Sequence, residues 1–255
     1  MNGFTKFGVC AVLMGGIAGV SGMAGSVSAA PRSPVSSRIQ DYVPTKLEDF
    51  SATMRVVSFN EREGSKINKD FGYIYKIKGD IQVRYKEENK LRIDGNLGAT
   101  KATMINNGSR QVVRLGGIKD NRDLGPSPGK RKTLLDVGLI SGGYLAYTEA
   151  EFKGTRPVDG VLCAIFRVSY RDKNLDTSFR MVWVDPKTKI TVKREEYTQE
   201  GKLNATFLYK KPKEVAPGIW FPSVIEAYNS EGGKAGVTSY GNVHVNAGLG
   251  DDVFK

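Results

Sequence analysis

His244 is the sole histidine of the chain, and it alternates with Val243 and Val245, so in a strand it projects away from the face those valines share. A general base needs a nucleophile or substrate group within hydrogen-bond reach, and nothing nearby in sequence supplies one, so a structural or surface role is expected. Glu87-Glu88 and Glu195-Glu196 invite a paired-carboxylate hydrolase, yet adjacent strand residues face opposite ways, which leaves one acid of each pair exposed. Asp251-Asp252 has no further oxygen ligands beside it and reads as a solvated turn. Cys163 lies inside the apolar run Val161 to Val168 and reads as a small buried hydrophobe. No nucleophile, base and orienting group can be named together, so the expectation is a non-enzyme with no metal and no cofactor. A hydrolase built from acids on distant strands is the outlying alternative.

The bases are the more informative polar residues. Lys76/Lys78, Arg84/Lys86, Lys90/Arg92, Lys130-Arg131-Lys132 and Lys210-Lys211 lie mainly on or beside candidate strands. One reading is a solvated sheet face whose lysines guard against edge pairing. The other is a basic rim around an apolar concavity that takes acyl chains inside and leaves an anionic headgroup outside, with Arg84 and Lys86 meeting that headgroup. Tyr73, Tyr75 and Tyr85 interleave with these bases, but stacking on single-stranded nucleic acid is hard to reconcile with export. Phe179, Met181 and Trp183 share one strand face, which is either packed core or the lining of a cavity, and Phe207, Tyr209, Met54 and Val56 carry the same ambiguity.

The elements that must position these residues follow from hydropathy periodicity. From Asp49 onward the pattern alternates with period two, so the body is expected to be mostly β. Strands are expected over Phe50 to Phe59, Phe71 to Lys78, Ile81 to Lys86, Lys90 to Asp94, Lys101 to Ile105 and Gln111 to Leu115 as an antiparallel meander, with Asn60 to Lys69 as a polar loop. Asn106-Asn107-Gly108-Ser109 carries the strongest hairpin signal. Residues 116 to 131 read as an exposed loop. Thr133 to Tyr147 is the one convincing helical stretch, split by Gly138, Gly142 and Gly143, and so apolar that it must pack against the sheet as a lid or plug. A second set of strands runs over Ala150 to Lys153, Val161 to Tyr170, Ser178 to Val184, Ile190 to Tyr197, Leu203 to Lys210, Val224 to Tyr228 and Ser239 to Asn246. Val161 to Val168 is apolar on both faces and must be covered on both.

A basic start ending at Lys6, the apolar stretch Phe7 to Met23 and the small-residue tract Ala24 to Ala30 read as a secretory signal over residues 1–29, with an uncleaved anchor as the rival. Residues 30–45 carry three prolines and read as an arm or linker with a short helix at Ile39 to Tyr42. Lys and Arg number 38 against 27 acids, a net charge of +11; loss of residues 1–29 removes Lys6 and no acid, leaving 37 against 27, or +10. A basic exported protein points to acidic partners such as anionic lipid or an acidic protein face, not to nucleic acid.

The order of elements carries a family resemblance. It runs from the signal through Asp49-Phe-Ser-Ala-Thr-Met, Gly79-Asp-Ile-Gln-Val-Arg-Tyr-Lys, an Asn-Lys-Leu-Arg strand and the Asn-Asn-Gly hairpin to the apolar helical insert, and ends with Trp183-Val-Asp-Pro-Lys-Thr, Tyr197 to Lys202 and Val245 to Phe254. Over residues 46–255 this resembles the LolA/LolB-like superfamily of outer-membrane lipoprotein-sorting proteins. The resemblance implies a single half-barrel domain: mainly β with short helices, an open, incomplete antiparallel β-barrel enclosing a helical lid or plug. It implies a periplasmic, monomeric carrier that catalyses nothing and holds lipoprotein acyl chains or another lipid for transfer toward the outer membrane, with inner- and outer-membrane sorting components as further partners. Met54, Val56, Trp183 and Phe207 are then expected to line the cavity, and Leu135, Leu139 and Ile140 to lie on the lid. The family's carriers have an Arg-Pro pair near a gating arginine; here Arg84 is the nearest base in the matching tract and Glu88 stands roughly where proline is expected. The alternative is an envelope sensor or interaction module that binds an acidic partner.

Overall fold

The computed structural model describes residues 34–68 and 71–255; the expected signal segment lies outside the described residues. Thirteen strands form one sheet in which every neighbouring pair is antiparallel: β1 (Asp49–Phe59), β2 (Ile81–Lys86), β3 (Lys90–Leu97), β4 (Thr100–Asn107), β5 (Arg110–Leu115), β6 (Ile118–Asp123), β7 (Thr148–Val158), β8 (Val161–Tyr170), β9 (Phe179–Val184), β10 (Thr191–Tyr197), β11 (Leu203–Ala216), β12 (Ile219–Asn229) and β13 (Lys234–Val245). The order is β6-β5-β4-β3-β2-β1-β13-β12-β11-β10-β9-β8-β7, so the sheet is two meanders joined at a central β1–β13 seam. It is curved and not closed into a barrel, with β6 and β7 as its edges. Residues 124–147 carry the chain from the β6 edge to the opposite, β7 edge.

Register fixes which side chains face inward. Phe50, Ala52 and Met54 of β1 stand opposite Tyr85, Val83 and Ile81 of β2, and on the other side of the seam Tyr209 and Phe207 of β11 stand opposite Ile225 and Ala227 of β12. Most of this inner face, with Leu134, Val137 and Leu139 upon it, forms the larger core cluster, while Ala227 packs in a small one with Ile67, Ala205 and Ala235. Toward the β7 edge a second cluster joins Ala164, Phe166 and Val168 of β8 and Val182 and Val184 of β9 to Leu135, Ile140 and Tyr144. The arm contributes to it as well: Ile39 and Tyr42, in a 3-10 turn over Ile39–Tyr42, pack there, and the Tyr42 ring meets Phe166 edge-on at 5.5 Å.

The β4–β5 hairpin closes with Asn107 opposite Arg110, so Gly108-Ser109 is the two-residue loop, and Gly108 takes the φ of +60° that its first position demands. Three expectations are corrected. Residues 71–78 form no strand; Gly72–Tyr75 is a short helix, α2, preceded by α1 over Glu61–Ser65 within the expected loop. The alternating aromatics are satisfied helically instead, because Phe71 and Tyr75, four residues apart, meet at 5.1 Å and Tyr75 stacks on Phe59 at 4.9 Å. Residues 116–131 are not all loop, since Ile118–Asp123 is the edge strand β6. Its Ile-Lys-Asp-Asn-Arg-Asp sequence is almost wholly exposed and buries no alternating apolar side, which removes the period-two signature. Among the described residues no helix is long and apolar enough to cross a membrane.

Candidate functional site

The segment crossing the inner face is two short turns broken by glycines. A 3-10 turn over Leu134–Val137 starts at Thr133, which forms a capping box with Asp136, and ends at Gly138 with φ of +92°. A helix over Gly142–Leu145, α3, follows, capped by Ser141. Leu134, Leu135, Val137, Leu139 and Ile140 are all at most 4 % exposed. Because the segment is short and irregular, its polar backbone must be satisfied by the sheet. The Tyr209 hydroxyl donates to the Leu135 carbonyl at 2.9 Å, Thr191 N–H donates to the Gly138 carbonyl at 2.8 Å, and Glu87 Oε1 accepts the Gly143 N–H at 3.0 Å. Burial raises the Glu87 pKa, against the pull of the Gly143 hydrogen bond.

Charge also lies beneath this lid. Arg194 of β10 stands opposite Val182 of β9 and Phe207 of β11, so it belongs to the inner face, and it is 2 % exposed. Its guanidinium lies over the Phe207 ring at 4.3 Å, 3.4 Å from Asp136 Oδ1 on the lid and 3.3 Å from Glu196. Arg180 of β9, opposite Glu196, donates to the hydroxyls of Tyr144 and Tyr170 and, at 3.2 Å, to the Gly129 carbonyl. Burial opposes the charge on all four groups and their partners overcome it: Asp136, beside Lys132, Arg194 and Arg180, is held down to about 2, Glu196 is lowered by the two arginines, and both arginines are raised. The carboxylates and the Tyr144 and Tyr170 hydroxyls are all engaged by the two arginines; what the arrangement can do is hold a lid, or hold an anion.

The sequence-predicted residues divide. Met54, Val56 and Phe207 line the inner face, and Leu135, Leu139 and Ile140 lie on the lid, Leu139 in the larger cluster and the other two in the second. Trp183 does not join them. The same alternation that turns Val182 and Val184 inward puts Trp183 opposite Ile165 and Lys193 on the outer face, with the Lys193 ammonium 4.6 Å from its ring. Arg84 and Lys86 are also on the outer face, because Val83 and Tyr85 take the inner one; Arg84 is bound to Asp94 at 2.8 Å and Lys86 to Asp251 at 2.8 Å. The inner basic residues that the sequence reading passed over are Arg180 and Arg194. Their signal was present: Arg180 and Val182, like Arg194 and Glu196, sit two apart on one face of a strand.

Outside the lid, a groove of about 200 Å³ lies on β4, β5 and β6, floored by Ile105, Val112 and Phe254 and rimmed by Arg110, Arg114 and Lys119. Phe254, in the 3-10 turn over Asp251–Phe254, packs with Ile105 and Val112 as a small separate core.

A family model described only as an uncharacterized protein matches residues 136–255. No curated protein sequence matches the chain. Among solved structures, the chain is similar to a putative outer membrane lipoprotein-sorting protein domain from Vibrio parahaemolyticus, at a TM-score of 0.60 and 16% identity over 82% of this chain and 89% of that one. It is similar to a DUF1329 family protein from Desulfovibrio piger ATCC 29098 at a TM-score of 0.58 and 15% identity, covering 86% and 93% of the two chains. It is similar also to a LolA superfamily protein from Nitrosomonas europaea at a TM-score of 0.57 and 14% identity, covering 85% and 96%. With a lid crossing the inner face of an open antiparallel sheet, this chain has the fold of the LolA-like lipoprotein-sorting proteins.

Proposed function

We propose that the chain is a non-enzymatic carrier of the cell envelope, exported to the periplasm, that holds the acyl chain of a lipoprotein or another lipid between the inner sheet face and its lid. Met54, Val56 and Phe207 would form the wall, and Leu135, Leu139 and Ile140 the part that moves. The observation that carries this reading is the lid itself: five large apolar side chains, all buried, on a segment with little regular structure of its own. Uncovering them costs roughly 7–15 kcal/mol at about 1.5–3 kcal/mol per side chain, and an acyl chain of about fifteen methylenes returns roughly 12 kcal/mol at ~0.8 kcal/mol each. The two sums are close, so the lid and an acyl chain could exchange reversibly, as a carrier that must also release its cargo requires.

The test is uptake of a fluorescent acyl probe by the wild type and by Leu139→Glu. The substitution places a carboxylate in an apolar contact with no partner, so uptake is expected to be lost while the far-UV circular dichroism of the sheet is kept. Undiminished uptake in the variant, or none in the wild type, would sink the proposal.

A second reading is favoured by the groove on β4–β6, where three bases surround an apolar floor. It makes the protein an interaction module for an acidic partner, and predicts binding that weakens steeply as salt rises from about 0.05 to 0.5 M, the range over which screening becomes short-ranged. Partner binding indifferent to salt would remove it.

A further inference from the structure

Two arginines under an acyl-binding lid are expensive. An apolar inner face would serve a neutral acyl chain without them, and each guanidinium must be repaid with carboxylates and hydrogen bonds to stay charged there. The payment is divided between two elements. Glu196 belongs to the sheet and stays with the arginines, whereas Asp136 belongs to the lid, as does Lys132 at 3.6 Å from it. Lifting the lid takes away Asp136 and leaves Arg180 and Arg194 facing Glu196, two positive charges against one negative, on the wall of the opened site. Donor capacity is also in excess. With the lid down, buried Nε of Arg194 has no hydrogen-bond acceptor, and Nε of Arg180 lies 3.5 Å from Glu196 without forming a hydrogen bond. Tyr144 on the lid accepts from Arg180 and Tyr209 on the sheet donates to the Leu135 carbonyl; both hydroxyls are neutral and supply no charge.

Resting on the carrier reading, we propose that the cargo is an anionic amphiphile whose carboxylate or phosphate sits on Arg194 and Arg180 in the position that Asp136 holds when the lid is down. The lid carboxylate is thus an internal stand-in for the ligand's own anion, as Leu135 and Leu139 are for its chain. Guanidinium groups suit this role because their planar donor fork matches carboxylate and phosphate oxygens alike. Competition between Asp136 and the ligand couples anion arrival to lid release.

The experiment measures binding of cis-parinaric acid and of its uncharged methyl ester to the purified protein, followed by displacement with palmitate, phosphatidylglycerol or neutral diacylglycerol. The acid is expected to bind about tenfold more tightly than the ester, the size of one charge-assisted hydrogen-bonding site. That preference is expected to fall to near unity in the double variant Arg194→Gln with Asp136→Asn, which removes both charges together and so spares the fold an unpaired ion. Asp136→Asn alone is expected to tighten the acid while keeping its preference over the ester. Displacement by palmitate and not phosphatidylglycerol identifies a carboxylate ligand, and the reverse a phosphate. Equal or tighter binding of the ester overturns this inference and leaves the carrier standing, and so does a preference that survives in the double variant. Failure of both probes to bind overturns the carrier reading and this inference with it. The acid-to-ester ratio in the wild type requires no variant to fold.

Discussion

At the scale of single residues, the decisive group is Asp136, which both caps the turn of the lid and neutralises Arg194. Asp136→Ala removes a partner from an arginine that is 2 % exposed, and leaving a buried charge uncompensated costs about 3–5 kcal/mol; the shift of the urea midpoint at constant slope measures it. The pH dependence has a definite sign. Asp136 is held down to about 2, and Glu196 is also lowered, so both contribute stability that is complete above their ordinary carboxylate range and is lost as pH falls toward 2. Acid titration of the wild type is expected to show this loss, and the Asp136→Asn variant a shallower one; equal slopes would remove Asp136 from the account. Little of this was legible beforehand. Lys193-Arg194-Glu195-Glu196 has the composition of a solvated strand, and only the cross-strand neighbours, Val182 on one side and Phe207 on the other, turn one half of it inward. Asp49 was equally silent: its carboxylate accepts the N–H groups of Ala247, Gly248 and Leu249, nearly two hundred residues away, and so pins the chain after β13.

At the scale of elements, the lid was the part best foretold, because a run of leucines interrupted by glycines in a β protein has nowhere to go but the sheet. Gly138 shows why the break is needed. Its φ is +92°, and a Cβ there would lie 2.6 Å from the Tyr209 ring. Gly138→Ala is expected to destabilise by about 1–3 kcal/mol, read from the urea midpoint, and to open residues 133–147 to limited proteolysis; an unchanged midpoint would contradict the first and an unchanged digestion pattern the second. Strands with an apolar side were legible from their alternation. The helix α2 and the strand β6 were not, since the first hides a helical contact inside an alternating pattern and the second buries nothing. Trp183 was placed on the correct strand but the wrong side, because a large aromatic covered by a lysine stem on the outside looks, in sequence, like one facing a core.

For the whole molecule, the antiparallel open sheet was legible as a class from the density of alternating segments and from the order of elements, while its closure at the middle was not. The β1–β13 seam joins strands from the two ends of the described chain, and Phe50, fully buried, fills it between Tyr85 at 5.7 Å and Phe221 at 5.1 Å. Phe50→Ala is expected to cost about 3–5 kcal/mol and to lower amide protection on both meanders together; loss confined to one meander would mean that the halves are stable apart. The crossing segment has a mechanical consequence of its own. Residues 124–147 are tied to the two rims of an open trough, as a string is tied to the tips of a bow. Both ends of such a string are fixed by the rims, so spreading or closing of the trough would carry those ends apart or together. Anything that paired with either rim strand would therefore pull on one end of the segment that covers the inner face.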